Sequence, residues 1–257
     1  MGLLIPDRDV ILLSSNCYLA FIFPRGRMTL AVPRTLLPHN LPRSLKLRVP
    51  NKAARDLWNR LRFGADAPMS DECLMVPTAA VRLRYLHRGT AELPRFRRRH
   101  SGLVMGGDWD LSVAPIGGEL KEAACRAHFL GGVPWEATEL FTKLAGELRE
   151  KGEVDGCRSL AELRARYEVL DRIYDEARRT GRLRPQRELS GYFRREYGGI
   201  FVHVGRDGRL LRSSGGAHRF AIARILALPR IPVQVGVVHP EAVTRGLYRA
   251  LREGRQP

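Results

Sequence analysis

Ile200-Phe201-Val202-His203-Val204, Gly205-Arg206-Asp207-Gly208, Leu210-Leu211 and Gly215-Gly216-Ala217-His218-Arg219 follow one another in the last third of the chain, and their reading decides the fold. The first run is apolar over a strand's length, as in a buried strand. The Gly-Arg-Asp-Gly tetrad is a turn, and Leu210-Leu211 carries the chain back. An apolar run from Phe220 to Leu228 predicts a helix, Pro229 ends it, and Ile231-Pro232-Val233-Gln234-Val235 predicts a further strand. The glycine pair Gly215-Gly216 therefore stands between a strand and a helix. Glycines at such a place let backbone N–H groups approach a phosphate, and the helix N-terminus adds unpaired donors and a favourable dipole. Arg219 adds a forked, permanently charged contact. A tight turn with a solvated arginine gives the same letters, so it is the whole order of elements that points to a ligand.

That order resembles the ParB/sulfiredoxin superfamily, whose Gly-x-His-Arg or Gly-x-x-Arg element opens a helix and binds nucleotide phosphates. The resemblance covers about the last third of the chain and implies a small mixed sheet with helices around residues 181–240. It also implies that Gly215, Gly216, His218 and Arg219 bind a nucleoside di- or triphosphate such as ATP, ADP or CTP. Sulfiredoxins carry a reactive cysteine before the His-Arg pair, and free-serine kinases a histidine. Here the position is Ala217, which has no nucleophile, so the sulfinic reductase activity does not carry over.

The chain has 257 residues, 44% of them hydrophobic, enough for a substantial core in one large domain or two modest ones. No run of eighteen apolar residues occurs and no signal peptide is legible, so a cytoplasmic protein without a membrane span is expected. Cys17, Cys73, Cys125 and Cys157 form no C-x-x-C pair, which excludes the common zinc and thioredoxin-like motifs and leaves four buried or incidental thiols. With 44 Lys and Arg against 27 Asp and Glu, the formal net charge is +17. Such a chain attracts polyanions, nucleic acid and phosphorylated metabolites among them. A diffuse arginine excess also follows from GC-rich coding bias.

An α+β fold is expected, with a strand-rich region over residues 1–100, a helical linker region and the sheet of the C-terminal third. Short apolar runs at Val10–Leu13, Tyr18–Phe23, Met28–Val32, Leu45–Val49 and Val81–Leu86 read as strands. Asn51 to Arg62 reads as a helix with Ala54, Leu57, Trp58 and Leu61 on its apolar face. Residues 89–101 form an arginine-heavy connector and a candidate boundary, after which residues 101–257 hold the second region. Two helices are expected there, from Pro134 to Lys151 and from Ser159 to Thr180, the latter with a Ser159/Glu162 capping box and Gly181 as its stop. A single helix is expected from Glu241 to Glu253.

A second cluster, Gly106-Gly107-Asp108-Trp109-Asp110, puts two carboxylates in a tight loop. Asp108 and Asp110 there are candidates for holding Mg²⁺ or for acting as base toward an acceptor hydroxyl. The bland reading, held equal, is an Asx-type turn whose tryptophan plugs the core. A Gly-Asp-Trp-Asp element upstream of a ParB-like segment is similar to the layout of uncharacterised bacterial and archaeal proteins, which implies no activity. His203 and His128 read as packing residues, His239 as a group near the phosphate site if the last strand ends there, and His218 as the candidate catalytic histidine.

The leading expectation is a nucleotide-binding phosphotransferase such as a kinase, or an NTPase, acting on a small hydroxyl substrate: Gly215, Gly216, His218 and Arg219 hold the phosphates, and Asp108, Asp110 and His218 serve chemistry. The alternative is a ParB-like DNA-binding protein or nuclease with a nucleotide switch. The third is a non-catalytic nucleotide sensor or scaffold. The position of Asp108 and Asp110 relative to Arg219 separates the first from the third.

Overall fold

The computed structural model describes residues 20–21, 29–30, 38–188 and 199–255. The chain divides into two units, residues 1–46 and 47–257. In the first, strands β1 (Ala20–Phe21) and β2 (Thr29–Leu30) pair antiparallel, and helix α1 spans Leu41–Lys46. The expected strand at Val10–Leu13 lies outside the described residues. The expected strand at Leu45–Val49 is not formed: α1 takes its first residues, and Val49 opens the helix that begins the second unit.

The second unit is an α+β fold built on one six-stranded mixed sheet. Its strands are β3 (Cys73–Pro77), β4 (Leu83–Tyr85), β5 (Val113–Pro115), β6 (Ile200–Val204), β7 (Leu210–Arg212) and β8 (Arg230–Val238), in the order β3-β8-β6-β7-β4-β5. The hairpin β6–β7 closes through the Gly205–Gly208 turn, and β8 returns parallel to β6 after a helix. Residues 89–101 therefore do not separate two units: β3 and β4, from before them, pair with β8 and β7, from after them. Apolar pattern alone cannot show such pairing, because it spans more than a hundred residues of sequence.

Both faces of the sheet are covered, which is why β6 and β8 read as near-continuous apolar runs. Ile200, Val202 and Val204 of β6 and Ile231, Val233 and Val235 of β8 face a core shared with the helices. Against that side pack α3 (Leu120–Phe129), α5 (Leu160–Thr180) and α6 (Ala217–Ile225), and α4 (Glu139–Lys151) packs on these helices in a second cluster. Phe201 and His203 point the other way, where His203 meets the rings of Tyr85, Phe96 and Trp109.

Helix α5 starts and stops as the sequence predicts. Ser159 caps it by accepting from the Glu162 N–H at 3.1 Å, and Gly181 ends it at φ 68°. Helix α4 begins later than expected, because Thr138 caps it after a separate turn at Trp135–Ala137. The expected helix over Glu241–Glu253 is two helices, α7 (Pro240–Thr244) and α8 (Leu247–Arg252), broken where Gly246 turns left-handed at φ 71°.

Helix α2 (Val49–Phe63) forms where predicted but faces the other way. Its buried positions are Val49, Lys52, Asp56 and Asn59, whereas Leu57, Trp58 and Leu61 are 62%, 63% and 75% exposed. The polar side is satisfied from within: Lys52 Nζ bonds both oxygens of Asp71 at 2.6 and 2.8 Å, and Asn59 Nδ2 donates to the carbonyls of Pro68 and Gly102, each at 2.7 Å. Among the described residues no helix is long and apolar enough to cross a membrane.

Candidate functional site

Because β7 runs antiparallel to β6, helix α6 starts at the edge of the sheet where β6 begins. Gly216 precedes the helix at φ 74°, and a Cβ there would lie 2.3 Å from the Gly199 carbonyl oxygen. A Cβ on Gly215 would lie 2.9 Å from Cβ of Phe201 and 3.0 Å from Nη2 of Arg98. Both glycines are thus required by the close approach of this loop to the start of β6, and only the second also by its backbone angle. The approach brings in a residue that the sequence reading missed. Arg98, from the arginine-rich segment before the Gly-Asp-Trp-Asp loop, donates through Nη2 to the Gly199 carbonyl at 2.9 Å and through Nη1 to Gln234.

In front of this loop opens a cavity of about 1030 Å³, at the upper end of the size range of small-molecule sites, roughly 300–1,000 Å³. Gly215, Gly216, Ala217, His218 and Arg219 all line it, so the structure brings the predicted phosphate residues together at one concave surface. One wall is aliphatic, from Val169, Leu170, Ile173 and Ala177 of α5 with Leu183. The rest is strongly basic. Among the described residues, Arg98, Lys121, Arg166, Arg182, Arg184 and Arg219 line it against two acids, Asp155 and Glu176. Cations in a walled cleft concentrate anions far more than the same charges on a flat face.

The first turn of α6 sends its two polar residues to different ends of the cavity. Arg219 is 7% exposed and donates through Nη2 to the Arg184 carbonyl at 2.5 Å, and Arg184 in turn pairs with Glu176. His218 stands edge-on to Tyr167 with ring centroids 5.7 Å apart, nearer the start of α5. From Arg166 to Ala177 the α5 wall runs about 16 Å at a helix rise of roughly 1.5 Å per residue. Burial, then the nearby charges of Lys121 and Arg166, push the His218 pKa down to about 4, so the imidazole is neutral near pH 7. Its Nε2 is buried without a hydrogen-bond partner, as is the Tyr167 hydroxyl.

Asp108 and Asp110 are placed elsewhere. Arg206, in the β6–β7 turn, grips Asp110 through its backbone N–H at 2.8 Å and its guanidinium at 2.8–3.1 Å, and reaches Asp108 at 2.7 Å. That turn is at the far end of β6 from Gly199, a separation of about 17 Å at roughly 3.3 Å per strand residue. Neither carboxylate lines the cavity. A Mg²⁺ ion does not fit between them, because a guanidinium already holds that position. Burial works against ionisation of Asp110, but the bonds from Arg206 outweigh it and hold the carboxyl below its ordinary range. Trp109 is fully buried and its Nε1 donates to the Met105 carbonyl at 2.9 Å. Among the described residues no group of three or more His, Cys, Asp or Glu is arranged to hold a metal ion.

His128, His203 and His239 are packing or capping groups. His128 stacks on Trp135 with centroids 4.0 Å apart, bonds the Val133 carbonyl and pairs with Asp171. His203 accepts from the Val237 N–H at 3.0 Å, and burial pushes its pKa down to about 3. His239 caps α7 and donates to the Gly107 carbonyl at 3.2 Å, at the Arg206 end of the sheet and away from the cavity. No protein family, curated protein or solved structure matches this chain.

Proposed function

We propose that this chain binds a nucleoside di- or triphosphate in the cavity before α6, as a ParB/sulfiredoxin-like nucleotide-binding protein. The observation that carries this reading is the convergence of Gly215–Arg219 with five further cations on one cavity that also has an aliphatic wall. Phosphates meet Arg98, Arg184, Arg219 and the helix N-terminus, and the nucleoside extends from them along the aliphatic wall of Val169, Leu170 and Ile173. With Asp108 and Asp110 bound to Arg206 at the other edge of the sheet, binding is better supported than phosphoryl transfer, and the activity fits a sensor or a switch.

A phosphotransferase or NTPase is the second reading, and His218 favours it. A neutral histidine with an unpartnered nitrogen can take a proton from an attacking hydroxyl that reaches its end of the cavity. DNA binding draws support only from the overall charge, since α7 and α8 are five and six residues long, too short for a recognition helix.

Calorimetric titration of ATP, ADP and CTP, with and without Mg²⁺, tests the reading on the wild type and on Arg219→Ala. A hydrogen bond to a charged group contributes about 1.5–3 kcal/mol, so the variant should lose roughly tenfold or more in affinity while its circular dichroism stays unchanged. Nucleotide binding that is absent in the wild type, or untouched in the variant, overturns the proposal. Hydrolysis or transfer that His218→Asn removes, with binding retained, would establish the second reading.

A further inference from the structure

Asp155 and Glu176, which line the cavity, are engaged differently. Glu176 pairs with Arg184. The Asp155 carboxylate lies 3.6 Å from Lys121 Nζ and 3.8 Å from Arg166 Nη2, beyond hydrogen-bond distance of either. Its position is fixed by the backbone. Asp155 and Gly156 are the two central residues of a tight hairpin at φ 50° and 80°. Val154 and Cys157 close that hairpin by exchanging both backbone bonds, at 2.9 and 2.8 Å. Left-handed angles at both positions suit Asp-Gly and fix where the Asp155 side chain leaves the backbone.

A carboxylate held in a cavity lined by cations repels a polyanionic ligand, unless the ligand offers it a hydrogen-bond donor. Inorganic polyphosphate offers none. A ribonucleotide does, because its two vicinal hydroxyls are separate from its phosphates. The layout matches that molecule. Arg98, Arg184 and Arg219 gather at the end where the glycine pair meets β6, and Asp155 sits near the start of α5 with Lys121 and Arg166. The aliphatic α5 wall runs between the two ends.

Resting on the nucleotide reading above, we infer that Asp155 is a specificity residue that accepts hydrogen bonds from the ribose hydroxyls, so that the cavity selects ribonucleotides over free polyphosphate and over sugar-deoxygenated nucleotides. The test titrates ATP, CTP, their 2′,3′-dideoxy forms and tripolyphosphate into wild type, Asp155→Asn and Asp155→Gly, glycine being free of strain at φ 50°. Wild type should prefer the ribonucleotides over the dideoxy forms by about tenfold or more. Both variants should lose that preference by weakened ribonucleotide binding, while tripolyphosphate binds as before or tighter.

Ribonucleotides that bind the variants as tightly as wild type, or more tightly, would make Asp155 a mere counter-ion and overturn the inference. Equal wild-type affinity for the dideoxy forms overturns it as well. Either result leaves the nucleotide reading standing if Arg219→Ala still weakens binding by about tenfold or more. If wild type binds neither ATP nor CTP, that reading fails and the inference falls with it.

Discussion

Replacing Lys52 should damage the fold far more than replacing Trp58 or Leu61, the reverse of what the hydrophobic pattern of α2 predicts. Lys52 is 5% and Asp71 4% exposed, and Gln234 Nε2 adds a 3.1 Å bond to the same carboxylate. Lys52→Met removes the ammonium and leaves the Asp71 charge inside. Breaking a buried ion pair from one side costs about 3–5 kcal/mol. For a unit of this size each kcal/mol lowers Tm by about 2–4 °C, so a fall of roughly 10 °C is expected. Trp58→Ser and Leu61→Ser act on side chains 63% and 75% exposed, and such surface changes stay within about 0.5 kcal/mol. Were Leu61 packed in a core, truncation would cost about 2–5 kcal/mol. Urea unfolding followed by far-UV circular dichroism ranks the three variants directly. A Leu61→Ser variant destabilised by several kcal/mol, beside a tolerated Lys52→Met, refutes the orientation of α2 and the argument built on it.

Acid should destabilise the protein ahead of its carboxylates. His218 and His203 have folded pKa values depressed to about 4 and about 3, so the unfolded chain binds protons more readily than the folded one below pH 6.5. Their contribution is complete above about pH 6.5 and is withdrawn as pH falls toward those values, with His218 alone accounting for about 3 kcal/mol. The urea midpoint against pH should show this slope, and His218→Asn should flatten it; a flat wild-type profile from pH 7 to 5 refutes it. In the Gly-Asp-Trp-Asp loop, Asp110→Ala should cost about 2–3 kcal/mol by stripping the Arg206 N–H and guanidinium of their acceptor. Asp108→Ala, at a side chain 80% exposed, should change stability by less than about 0.5 kcal/mol. Nucleotide binding by titration should survive in both, and its loss in either would place that loop in the site after all.

The C-terminal third was the legible part of the chain. Its strands alternate or run apolar, its turns carry glycine, and its helix follows a glycine pair, so local rules and tertiary structure agree from Ile200 to Val238. Helix α2 was legible as a helix and illegible in its facing. Pattern reading places leucine and tryptophan inside, whereas here a network of Lys52, Asp56, Asn59, Asp71 and Gln234 occupies the interior. Nothing in the sequence signals that Asp71 and Gln234, 163 residues apart, meet at 3.1 Å. The cavity shows the same limit. Gly215 to Arg219 are contiguous and could be read, but Arg98, Lys121, Asp155 and Arg166 reach the site from four other segments, and among 44 basic residues none of the cations stood out.

Two glycine-rich motifs that look alike in sequence differ in whether the fold satisfies their polar groups. Around Gly107 every prominent group has a partner: its carbonyl accepts from Arg206 at 2.9 Å and from His239 at 3.2 Å, and Asp108 and Asp110 both accept from Arg206. A Cβ on Gly107 would meet nothing within 4 Å, so its glycine is there for a φ of 87° alone. That loop is a clasp, tying the β6–β7 turn to the segment before β5. At Gly216 the glycine is demanded by space as well as by angle, and what the close approach produces is a recess walled by cations, with a buried imidazole nitrogen left without a partner. Burying an unsatisfied polar atom is unfavourable by about 1–3 kcal/mol, and excess like charge in one cleft adds to it. Like charges gathered in one recess suit a site completed by an anion, which supports the binding proposed for the second motif, whereas the ion pairs of the first give it a structural role.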